Sequence, residues 1–140
     1  LSSEVVGILL EEGYNPVLEK EKFDSDEEVV IILVEDRKIN IMFDCKNPQQ
    51  FQAICHTHNF AEAQREEIDE IVSRLNNNTR FAYLAVDYYN DVYSISDASV
   101  GRGANVKHIL SKSLNAIMSI DNQYREMLNE EHLQKRVSEV

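Results

Sequence analysis

The sequence predicts an α+β fold: an antiparallel sheet of about six strands with helices packed on it, in the order α-β-β-β-β-α-β-β-α. Two observations carry this expectation. Short segments rich in Val, Ile, Phe and Tyr recur with polar turns between them, as hairpin-connected strands do. Three other segments repeat apolar residues at helical spacing, one at each end of the chain and one between the fourth and fifth strands. The 140 residues read as a single domain, 1–140, large enough to bury a core without disulfides or a structural metal.

The first helix is expected from Ser3 to Glu12, with Val5, Val6, Leu9 and Leu10 at helical spacing and Ser2 or Ser3 as its cap. Gly13 stands where a helix end favours a left-handed residue, and Pro16 follows within three. Strands follow at VLEKEKF (17–23), EVVIILV (28–34) and KINIMF (38–43), separated by the turns DSDE and EDRK. The first alternates charges with little hydrophobicity, as an edge strand does. The second is apolar on both faces, which suits a central strand. After the Asn47-Pro48 turn, QFQAICHTH reads as a fourth strand ending near His58. Its alternation puts Phe51, Ala53, Cys55 and Thr57 on one face, and Gln52, Ile54, His56 and His58 on the other.

Asn59, with Glu62 three residues on, forms a capping box for a helix from Ala61 to about Asn76. Ile68, Ile71, Val72 and Leu75 are its buried stripe. RFAYLAVDYY (80–89) and VYSISDASV (92–100) are strands joined at Asn90-Asp91. GRGAN (101–105) is a loop whose Asn105 caps the last helix. There Val106, Ile109, Leu110, Ile117, Met118, Asp121, Tyr124 and Leu128 follow a helical period. Its polar members weaken the stripe beyond residue 120, and the charged tail is expected to fray.

Lys and Arg number 14 against 25 Asp and Glu, a formal net charge of −11. That balance argues against duplex nucleic acid, whose phosphates require cationic side chains, and against an anionic membrane surface. It suits a basic or neutral partner. The longest apolar run, VVIILV at 29–34, falls far short of the roughly 20 residues that span a bilayer. The opening LSSEVVGILLEE has neither a basic segment nor a cleavage-like site, so the expected location is cytoplasmic, with reduced thiols. A Cys45–Cys55 bridge would close only a short loop.

Cys55, His56 and His58 raise the question of a metal or a nucleophile. On a strand the two histidines share a side and Cys55 points away, so Cys55-x-x-His58 is not a natural chelate. No second ligand pair accompanies them, since His108 and His132 stand alone. A metal-dependent enzyme using His56, His58 and a remote acid is the alternative reading. GRGAN lacks the full phosphate-loop signatures. Glu62, Glu66, Glu67, Asp69 and Glu70 crowd one helix without a histidine at metal-motif spacing, as a solvated face does. The sequence therefore assigns no catalytic residue, no cofactor and no metal ligand. Tyr83, Tyr88, Tyr89 and Tyr93 cluster on one hairpin, with Tyr83 on the face of Phe81 and Ala85, and Tyr88 on that of Ala82, Leu84 and Val86. Apolar content on both faces means cross-strand packing, or a surface that meets a second subunit or a peptide. These four tyrosines are the candidate partner-binding residues.

LLEEGYNP (9–16), the hairpin strands, a helix ending in the RLN element (74–76), FAYLAVD (81–87) and a long final helix together resemble the YbjN-like family over residues 3–128. These are bacterial proteins described as sensory transduction regulators, with a fold similar to class I type III secretion chaperones. The resemblance implies a type III secretion chaperone-like fold, no cofactor and no catalytic residue. It implies a non-enzymatic regulatory or protein-binding module, acting on another protein or a peptide segment and as a homodimer in the manner of its acidic chaperone relatives. A secretion-type chaperone for one partner protein is the second function it suggests. The marker residues have structural roles: Gly13 ends the first helix, Tyr14 covers the sheet edge, and Asn76 closes the second helix through left-handed geometry.

Overall fold

The computed structural model describes residues 1–20, 27–57 and 63–138. Helix α1 (Ser2–Glu11) precedes strands β1 (Val17–Lys20), β2 (Glu27–Val34), β3 (Arg37–Asp44) and β4 (Gln50–Thr57). Helix α2 (Arg65–Asn78) leads to β5 (Tyr83–Val86) and β6 (Val92–Ser99), and α3 (Val106–Ser138) closes the chain. The six strands form one antiparallel sheet in the order β1-β2-β3-β4-β6-β5. The element order and the α+β class are those the sequence predicts.

Period-two burial shows which face is covered. Val30 and Ile32, Ile39, Ile41 and Phe43, Phe51, Ala53, Cys55 and Thr57, and Leu84, Val92, Ser94 and Ser96 are all buried. Val5 and Leu9 of α1, Ile68, Ile71 and Leu75 of α2, and the stripe of α3 from Val106 to Leu128 complete this core. The intervening strand residues are half-buried or exposed along all six strands. Among the described residues, the sheet thus has one face covered by helices and one face open. β2 has strands on both sides, but its second apolar face, with Leu33 68% exposed, stays uncovered.

Local chemistry sets the element ends. Gly13 adopts φ +91°, Tyr14 N–H donates to the Leu9 carbonyl at 2.9 Å, and Gly13 N–H donates to that of Leu10 at 3.1 Å. Those two bonds make a Schellman motif, and the left-handed residue within it is the expected glycine. Neither serine caps α1: Leu1 holds the N-cap position, and Ser2 Oγ instead donates to Glu28 Oε2 at 2.5 Å, tying the helix to β2. The β2–β3 turn has two central residues, Glu35 and Asp36, at φ +50° and +65°, matching the twist of a tight hairpin. Asn105 does cap α3, accepting the His108 N–H at 3.1 Å. That helix continues without a break through the charged tail to Ser138.

One expected strand is described only in part, and another is shorter in the structure. β1 is described only to Lys20, and the remainder of VLEKEKF lies outside the described residues. β5 spans four residues rather than ten. Phe81 at φ +69° breaks the extended run before it, and the Asp87 carboxylate accepts two backbone N–H groups just after it. The Asn59–Glu62 capping box and His58 also lie outside the described residues. The expected helix start at Ala61 is corrected: Gln64 is the N-cap, extended at φ −91° and ψ 150° with no side-chain cap bond, and α2 begins at Arg65.

The polar break in the α3 stripe is a buried knot. Asp121 is fully buried, and its carboxylate receives Arg37 Nη1 at 2.8 Å, Arg125 Nε at 3.0 Å and the Thr57 hydroxyl. Thr57 in turn meets Ser94 at 3.2 Å. A buried carboxylate is tolerated because two cations and a hydroxyl satisfy it.

Candidate functional site

Cross-strand register aligns one row across the open face of the sheet. Val17 pairs with Ile31, Ile31 with Asn40, Asn40 with Ile54, Ile54 with Ile95, and Ile95 with Tyr83. The row crosses all six strands, about 24 Å at the usual strand spacing. Only Asn40 is strongly polar, and its buried Oδ1 has no hydrogen-bond partner among the described residues. The adjacent row toward the β3–β4 turn is polar at its far end, where Gln52 Nε2 donates to Asp97 Oδ1 at 2.7 Å. A cavity of about 450 Å³ lies there, lined by Glu27, Asp44 and Asp97 around Met42 and Phe51.

The four candidate tyrosines divide into two pairs. Tyr83 and Tyr93 lie on the open face on neighbouring strands. Tyr83 OH donates to Asp97 Oδ2 at 3.0 Å, and Tyr93 OH to Asp87 Oδ2 at 3.3 Å. Partial burial, then the bond to Asp97, push the Tyr83 phenol above its ordinary pKa. Partial burial and the charges of Asp87 and Asp91 do the same for Tyr93. Tyr88 and Tyr89 stand instead in the five-residue loop 87–91, 97% and 85% exposed. Tyr88 therefore does not share the covered face with Ala82 and Leu84. The Asx turn made by Asp87 ends the strand before Tyr88 is reached.

That loop is held from several sides. Asp87 Oδ1 accepts the N–H groups of Tyr89 at 2.8 Å and Asp91 at 3.0 Å, and Asp87 N–H donates to the Asp91 carbonyl at 3.0 Å. Arg65 of α2 donates from Nη1 to the Asp87 carbonyl at 2.9 Å and to Asn90 Oδ1 at 3.1 Å. His56 Nε2 lies 3.3 Å from Asp91 Oδ1, and its ring packs on Tyr93 at 5.1 Å between centroids. Desolvation acts to raise the Asp87 pKa, but the Asp91 and Tyr89 amides, the Tyr93 hydroxyl and His56 outweigh it and hold the carboxyl below its ordinary range.

The structure thus places His56 as a support of the loop, and His58 lies outside the described residues. Among the described residues, no three His, Cys, Asp or Glu side chains converge as metal ligands. Cys45 and Cys55 are free thiols, one exposed and one buried. Burial, then the charge of Asp121, push the Cys55 thiol up to about 11, against the smaller opposing pull of Arg125 and Arg37. Such a thiol is protonated at neutral pH and inert as a nucleophile.

Asp87 and Arg65, which shape the loop, are not among the residues expected at the site. The dipeptide Asp87-Tyr88 carried a turn signal, since Asp favours Asx turns. Asn76 does not close α2 as expected, since Thr79 holds the C-cap position. Asn76 lies inside α2, and its amide donates to the Leu84 carbonyl at 2.9 Å and accepts the Leu84 N–H at 2.7 Å. It satisfies the outer edge of β5 as a neighbouring strand would.

No family model and no curated protein matches the sequence. The fold is similar to the crystal structure of an uncharacterized protein from Methanothermobacter thermautotrophicus, with a TM-score of 0.68 and 20% sequence identity over 94% of this chain and 99% of that one. At that identity the likeness shows the fold alone. Among the described residues, no helix is long and apolar enough to cross a membrane.

Proposed function

We propose that the chain is a non-enzymatic binding and regulatory module that takes a segment of another protein on its tyrosine loop and the adjoining open sheet face. The observation that carries this reading is Tyr88 and Tyr89, almost wholly in solvent on a loop pinned by Arg65, Asp87 and His56. Holding a loop rigid lowers the entropy lost on binding, and exposed tyrosines are effective anchors at interfaces. The apolar row from Val17 to Tyr83 extends that surface. Asp87, Asp91 and Asp97 border it, and the chain carries −11 overall, so the matching segment has apolar side chains flanked by Lys or Arg. The resemblance to YbjN-like regulators agrees with this role in the cytoplasm.

The test is capture from the extract of the native host by immobilised protein, wild type against Tyr88→Ala/Tyr89→Ala. Loss of two anchors is expected to weaken capture at least thirtyfold, about 2 kcal/mol, with Tm unchanged because neither side chain is buried. Undiminished capture by the double variant refutes the assignment. Light scattering that shows a dimer lost in the same variant refutes it too, and makes the surface a self-interface.

A further inference from the structure

Arg37 and Arg125 converge on one carboxylate, that of Asp121. Two guanidinium charges thus share a single buried anion. A guanidinium carries five N–H donors. The contacts here engage Arg37 through Nη1, to Asp121 and weakly to Met118 Sδ at 4.0 Å, and Arg125 through Nε alone. The remaining guanidinium nitrogens meet no protein acceptor among the described residues. Both side chains are well fixed, being 19% and 34% exposed, and both line a cleft of about 600 Å³.

Three further groups in that cleft define what it can hold. Lys38 is exposed there and has no ionic partner among the described residues. Asn40 contributes the buried Oδ1 that lacks a donor among the described residues. Glu35 and Asp36, on the two-residue turn, bring carboxylates to the same cleft. The cleft therefore presents unspent cationic donors beside unspent acceptors. A polyanion would be repelled by the turn carboxylates and by the net charge of −11. A small molecule with one oxyanion group and its own N–H or O–H donors would satisfy both sets. The volume is that of an ordinary small-molecule site.

We propose that this cleft binds a small molecule through a carboxylate or phosphate group, held by Arg37, Arg125 and Lys38, with its hydrogen-bond donors directed to Asn40, Glu35 and Asp36. Ile54, His56 and Tyr93 also line the cleft, so it adjoins the tyrosine loop and shares Asn40 and Ile54 with the apolar row, but its ligand and its test require no protein partner.

Thermal unfolding of the full chain is measured in inorganic phosphate, in lactate (one carboxylate with an O–H donor) and in sodium chloride of equal ionic strength. Amide chemical shifts are followed in the same solutions. Lys38→Gln and Arg125→Gln are measured alongside, since Lys38 is exposed and its substitution leaves the Asp121 knot intact. Phosphate or lactate is expected to raise Tm above the chloride control and to move the amides of Asn40 and Ile54. Affinity is expected to fall about tenfold or more in each variant. A response to phosphate alone assigns a phosphate-bearing ligand, and one to lactate alone a carboxylate. No response beyond chloride in the wild type overturns the proposal. So does a Tm rise equal in the wild type and both variants, which is general salt exclusion, or a failure of the Asn40 and Ile54 amides to move.

Discussion

Asn76→Ala tests whether a helix side chain serves as the missing neighbour of an edge strand. The perturbation removes two hydrogen bonds, of 2.9 and 2.7 Å, between the Asn76 amide and the backbone of Leu84. Each is worth about 1 kcal/mol net. Alanine returns up to about 0.7 kcal/mol of helix propensity. The expected net loss is about 1–2 kcal/mol, a fall of roughly 0.5–1 M in the urea midpoint at the usual slope. Asn77→Ala is the control: Asn77 is exposed on the same helix, so the propensity gain acts there without a bond to lose. Hydrogen exchange reports the site itself. Protection of the Leu84 amide is expected to fall about tenfold, 1.4 kcal/mol, while the amides of β3 keep theirs. If Asn76→Ala is as stable as Asn77→Ala and Leu84 stays protected, the edge-clamp reasoning is wrong. Exposure of the β5 edge also opens it to pairing with another chain, which light scattering on the variant detects.

The other predictions are more local. Cys45 is expected to react with a thiol reagent at pH 8 in the native protein, and Cys55 only after unfolding; two fast native thiols would contradict the burial of Cys55. Because the folded Cys55 thiol holds its proton to about 11 against an ordinary 9.0, it contributes nothing to pH dependence below 9. Between those values the unfolded chain ionises first, so stability falls with rising pH by up to about 1.4 kcal/mol per unit. Cys55→Ala in urea titrations at pH 8 and 10 should show a shallower fall than wild type. Gly13→Ala is expected to lower stability by about 1 kcal/mol. A Cβ there meets nothing within 4 Å, so the loss comes from φ +91° alone, and an unchanged midpoint would refute it.

What was legible in the sequence is what depends on near neighbours. Alternation in QFQAICHT shows which residues of β4 are buried, because period two is a property of the strand itself. Gly13 and Asn105 mark helix ends because their effect reaches only three or four residues. The illegible parts are bonds between distant segments. RLN reads as a helix end, but the partner of Asn76 is set by how α2 lies against β5. The run from Arg80 to Tyr89 has strand propensity throughout, and propensity loses at both ends. Phe81 takes φ +69°, where its carbonyl accepts the Ser96 hydroxyl at 2.7 Å and its ring lies 3.7 Å from Lys112 Nζ. Asp87 folds the chain back through its own carboxylate. Two of the four candidate tyrosines were thereby moved from the sheet into a loop. Their exposure, which no periodicity could show, makes them the stronger candidates.

Asp121 illustrates how one misfit in a pattern can carry more than the pattern. On α3 it looks like a fault in an apolar stripe, and an aliphatic residue there would pack the core at least as well. Its carboxylate draws Arg37 and Arg125 to the same point, one from β3 and one from its own helix. Without that anion neither guanidinium would have a buried charge to hold it at the sheet end. The same carboxylate receives Thr57, the last described residue of β4, and Thr57 meets Ser94 on β6. His56 and Tyr93, their sequence neighbours on the opposite face, support the loop that presents Tyr88 and Tyr89. The covered face thus fixes the strand ends from which the open face builds both the cleft and the loop. A polar knot at that position costs desolvation, and what it supplies in return is placement of charge at a surface.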